Sequence, residues 1–78
     1  MSLASVILNW QEGDRVYSRL TTNVGRKKMI ARLSAIGMLG MVETIHAYFG
    51  DRVDGGNGYE LLWKPHVRFG DLGRLVAL

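Results

Sequence analysis

The sequence predicts a small α+β domain in which three helices precede a β-hairpin. Three observations carry that expectation. Leu3, Val6, Ile7 and Trp10 fall at i, i+3, i+4 and i+7, the stripe of an amphipathic helix. Met29, Ile30, Leu33 and Ile36 repeat the helical spacing further on. From residue 41 the pattern changes to alternation, then a glycine-rich tip, then a second alternating run.

The elements follow in order. Ser2 caps the first helix and Gly13 ends it. Asp14 caps a short second helix that turns Val16, Tyr17 and Leu20 inward. The same residues admit a second reading. Residues 6–10 and 15–22 are rich in β-branched and aromatic side chains, and Glu12-Gly13-Asp14 between them suits a hairpin turn. The helical reading is preferred because the four-residue stripe is complete; the hairpin would make a ββαββ domain instead.

Asn23 is placed to cap the central helix, which covers residues 24–39 and stops at Gly40. Residues 41–49 then alternate, with Ile45, Ala47 and Phe49 on one side and Thr44, His46 and Tyr48 on the other. Residues 50–58 form a tip whose Gly-Gly-Asn-Gly run supplies positive φ angles. Residues 59–63 return as the partner strand, which Pro65 ends. In the tail, Leu72, Leu75 and Val76 fit a short helix capped by Asp71, and a short strand from Gly73 fits equally.

Seventy-eight residues make a single domain, 1–78, with a small core. There is no cysteine, which excludes disulfides, thiolate metal sites and cysteine nucleophiles. No apolar stretch is long enough to span a bilayer, and no cationic region precedes the first apolar run, so a cytoplasmic protein without a secretory leader is expected. The net charge of +3 is unevenly placed. Residues 1–42 hold six cations against two anions, while residues 43–78 hold four against five. Arg26, Lys27 and Lys28 open the central helix, where the helix dipole prefers anions. A chain that accepts that cost presents charge to an anionic partner, and nucleic-acid phosphate is the first candidate.

Val24, Met29, Leu33, Ile36, Gly40, Met41 and Val42 fall at the spacings of a recognition helix entering a wing strand. Over residues 14–64 the chain therefore resembles the winged helix-turn-helix superfamily of DNA-binding proteins. The match departs from the superfamily pattern in the second helix, where Leu20, Thr21 and Asn23 stand. The resemblance implies a transcriptional or replication regulator that reads duplex DNA. Arg26, Lys27, Lys28 and Arg32 would meet phosphates and base edges from the recognition helix. Arg15 and Arg19 would flank the backbone from the second helix, and Arg52 would reach it from the wing tip.

Other chemistries fare less well. His46 and His66 have no carboxylate at metal-ligand spacing, so no metal or other cofactor is expected. The glycine-rich tip lacks the Gly-Lys-Ser/Thr ending of a phosphate-binding loop and joins two strands. No nucleophile elbow or carboxylate pair stands out, so no enzyme is expected. The aromatic side chains are needed mainly for the core, with Tyr48 and Tyr59 the best placed for base stacking. Leu61 and Leu62 are adjacent, so one faces away from the hairpin's inner side and must be covered by the tail or by a second subunit. The two outcomes stand level: the tail packs back on its own chain, or the apolar C-terminal segment forms a homodimer; membrane association is not expected. The alternatives to the DNA-binding reading are an α+β module that binds RNA, a protein-binding inhibitor, and a structural or assembly subunit.

Overall fold

The computed structural model describes residues 4–22, 24–48 and 57–77. Its element order is β1 (Ala4–Glu12), β2 (Arg15–Thr22), α1 (Arg26–Ala35), a 3-10 turn η1 (Leu39–Met41), β3 (Val42–Tyr48), β4 (Asn57–Trp63) and a 3-10 helix η2 (Phe69–Ala77). All four strands join one antiparallel sheet in the order β1-β2-β4-β3. The α+β class is correct, but three helices before a hairpin is not. Over residues 4–22 the two expected helices are replaced by the β1–β2 hairpin, the second of the two readings the sequence admitted.

The reason lies in β2. Val16, Ser18, Leu20 and Thr22 are buried, and Arg15, Tyr17 and Arg19 between them are less so. That is period two, the strand repeat. Val16 and Leu20 therefore share a face, but Tyr17, expected beside them on a helix, points to the other side. Gly13 neither ends a helix nor precedes a cap. It sits at φ +63° at the first position of a two-residue connection between the paired residues Glu12 and Arg15. Primed hairpin turns require positive φ there.

The central helix forms, but both of its ends move. The cap is Gly25, with no side-chain hydrogen bond, and Asn23 lies outside the described residues. The stop is Gly37, not Gly40. Gly37 has φ +75°, its N–H donates to Ser34 O at 3.0 Å, and Met38 N–H donates to Leu33 O at 2.9 Å. These are the two bonds of a Schellman motif. Leu33 and Met38, the apolar pair that accompanies such a stop, are both fully buried.

The second hairpin matches expectation. Ile45 pairs with Leu61 and Ala47 with Tyr59, so these residues share the covered face of the sheet. Because β4 lies between β2 and β3, those two strands run in the same direction and α1 crosses over the gap. The tip over residues 50–56, with Arg52, lies outside the described residues. The tail is helical, but Asp71 is not its cap. The Asp71 carboxylate reaches back to accept from Arg68 N–H at 3.3 Å, the return half of a capping box.

The core lies on one side of the sheet. Leu20, Leu61 and Trp63 of the strands meet Met29 and Leu33 of α1 and Leu72 and Leu75 of η2. Trp63 is fully buried, and its indole N–H donates to Ser18 Oγ at 2.9 Å. The Ser18 hydroxyl donates in turn to Asn9 Oδ1 on β1. Three strands are thus tied by one satisfied polar chain in an apolar layer, where an unpaired group would cost roughly 1–3 kcal/mol.

Candidate nucleic-acid interface

Met29 and Leu33, four apart, fix how α1 sits. With those side chains inward, the helical period turns Lys27, Ala31, Ser34 and Ala35 to the outer ridge, with Lys28 and Arg32 along one flank. All six are exposed, as is Arg26 at the first helical position. Small side chains at Ala31, Ser34 and Ala35 allow a partner to approach closely, with Lys27 beside them and Lys28 and Arg32 along one flank.

Among the described residues no carboxylate pairs with Arg26, Lys27, Lys28 or Arg32. The first turn has no acidic residue to offset the helix dipole. Lys28 and Arg32 repel at i, i+4, a cost of roughly 0.2–0.5 kcal/mol. The local sequence thus sets charge where it does not help the helix.

Arg15 and Arg19 do not join this cluster. They were expected on a second helix flanking the backbone. Instead they lie on β2, on the open face of the sheet, opposite the layer that holds α1. Arg15 pairs with Glu43. Arg19 grips Glu60 with Nε, at 2.9 Å, and with Nη2. Arg52 lies outside the described residues.

Two cations of the η2 segment were missed by sequence reasoning. Arg68 and Arg74, beside and within η2, are exposed. A Cβ built at Gly37 would lie 3.6 Å from Arg74 Nη2, so that guanidinium reaches the C-terminal end of α1. A cation there is favourable to the helix dipole. Once Leu72 and Leu75 were read as inward, Arg74 between them had to point out; that spacing was the available signal. Among the described charged side chains, α1 and the η2 segment together carry six cations and one carboxylate, Asp71.

The stacking candidates also change. Tyr59 is 4% exposed and belongs to the core; the Tyr48 side chain lies outside the described residues. The aromatic pair on the open face is Trp10 and Tyr17, cross-strand neighbours whose rings stack with centroids 5.3 Å apart. The Arg19 guanidinium lies over Trp10, 5.6 Å from the ring centroid. Trp10 was expected inside a helical stripe; as a β1 residue opposite Tyr17 it cannot reach the covered face.

His46 and His66 are both exposed, and among the described residues no three His, Cys, Asp or Glu side chains converge to hold a metal ion. Among the same residues no helix is long and apolar enough to cross a membrane. No protein-family model, no curated protein and no solved structure matches the chain.

Proposed function

We propose that the protein is a nucleic-acid-binding module that grips the phosphate backbone of a duplex with the outer surface of α1. One observation carries the reading: Arg26, Lys27, Lys28 and Arg32 are all exposed without a carboxylate partner among the described residues, while both arginines of the sheet are answered by glutamates. Charge set out in this way suits a polyanion and gains from released counterions. Duplex DNA is the favoured partner and RNA the second. In this reading the protein is a binding module, not an enzyme. It works in the cytoplasm as a regulator of transcription or replication by occupying nucleic acid.

The test is a salt-titrated anisotropy measurement on short DNA and RNA duplexes. Each phosphate contact contributes about −0.9 to the slope of log K against log salt. Replacing Lys27, Lys28 and Arg32 by alanine should weaken binding and flatten the slope by up to roughly 3, with the circular dichroism spectrum retained. Arg15→Gln should leave the slope as it is. Equal binding by the triple variant and the parent chain would remove α1 as the interface.

A further inference from the structure

The open face of the sheet has a definite pattern. The strand register places Trp10, Tyr17, Leu62 and Thr44 in one row across all four strands. The next row is Leu8, Arg19, Glu60 and His46. Beyond the first row on its other side stand Glu12, Arg15 and Glu43. Trp10, Tyr17 and Leu62 are half-buried and Leu8 is 53% exposed. The tail does not cover Leu62, because Leu72 and Leu75 pack on the opposite side of the sheet with Leu61.

We propose that a second copy of the chain covers this face, packed sheet against sheet with β2 of each copy over β4 of the other. The charges select that occupant. Arg15 and Arg19 each sit beside a glutamate, Glu43 and Glu60, so the face has little net charge to draw a polyanion. A twofold axis parallel to the strands and between β2 and β4, the two central strands, makes the face complementary to itself. Arg19 then meets Glu60 of the second copy, and Glu60 meets the second copy's Arg19. Tyr17 falls against Leu62 by the same operation, and Leu8 is drawn into the contact. Aligned sheets pack face to face in this manner.

The arrangement has a functional consequence that rests on the proposed phosphate-binding role of α1. Each copy keeps α1 on the side away from the contact, so the two cationic layers point in opposite directions. The dimer joins two duplex segments and does not read two half-sites on one.

Sedimentation equilibrium of the full chain over a micromolar range tests the interface, and a dimer is expected. Leu8→Glu, a change at an exposed position, should shift it to monomer with its circular dichroism unaltered. Arg19→Glu and Glu60→Arg place like charges across the axis, so each alone should be monomeric. Mixed in equal amounts they should form a heterodimer, because one copy then presents two carboxylates and the other two guanidinium groups. A parent chain that stays monomeric overturns the proposal. So does a dimer that survives Leu8→Glu and dissolves on Phe69→Glu, which would put the contact on the C-terminal segment. Bridging is read separately, by capture of free duplex on duplex-coated beads. A dimer that binds no duplex overturns the α1 reading and leaves the interface standing.

Discussion

The two arginine-bearing layers of this molecule differ in who answers the charge. On the open face, Arg15 and Arg19 each meet a glutamate delivered by another strand. On the opposite layer, the four cations of α1 meet none among the described residues. A count of charges along the chain treats all six alike. What separates them is whether sheet pairing brings a carboxylate to the same place. A cation paired within its own sheet adds little net charge to that face, whereas the cations of α1 leave theirs for a polyanion.

The comparison can be broken or sharpened by substitution. The largest effect is expected where the cationic layer is anchored. Leu33→Ala empties a fully buried position between α1 and the sheet and should lower stability by about 2–5 kcal/mol in urea titration. A much smaller loss would mean that α1 is only loosely held. Next comes the helix stop: Gly37→Ala forces a side chain into positive φ and should cost about 1 kcal/mol. A third variant series measures the answered charges. A double-mutant cycle on Arg19 and Glu60 should give a coupling of about 0.2–1 kcal/mol, since both side chains remain partly exposed. The smallest change in stability is the most diagnostic. Lys28→Glu puts an acid in the first turn and four residues before Arg32. It should stabilise the fold by roughly 0.3–0.5 kcal/mol while weakening duplex binding. If affinity rises with stability, the cations of α1 serve no polyanion.

The second half of the fold was legible because its patterns are local. The alternation survives over residues 44–47 with the faces as expected, Phe49 lying outside the described residues, and Met29 and Leu33 mark α1 without help from elsewhere. The first hairpin was legible only as the second choice, for two reasons. Leu3, Val6, Ile7 and Trp10 satisfy helical spacing by chance. In β2 the covered positions alternate Val16, Ser18, Leu20 and Thr22, so hydroxyl side chains interrupt the apolar signal. Ser18 can be buried because Trp63, 45 residues away in sequence, donates to it. No local window contains that fact.

The candidate site divides along the same line. The cations of α1 and their exposure follow from the helical period. The neutralisation of Arg15 and Arg19 does not, because Glu43 and Glu60 lie 28 and 41 residues further along. The stacked pair Trp10 and Tyr17 was hidden by the same misplaced helices. Tyr59 was offered to solvent by its neighbours in sequence but is claimed by the core.

The position of β4 has a consequence for how the molecule comes into being. Of the described strands it is the last in chain order, yet it occupies the middle of the sheet and borders both β2 and β3. Until it arrives, β2 and β3 lack the strand through which they are joined. Non-local pairings of this kind slow the search for the finished structure. A nascent chain that ends before residue 57 would hold its first hairpin and its cationic helix without the strand that unites them.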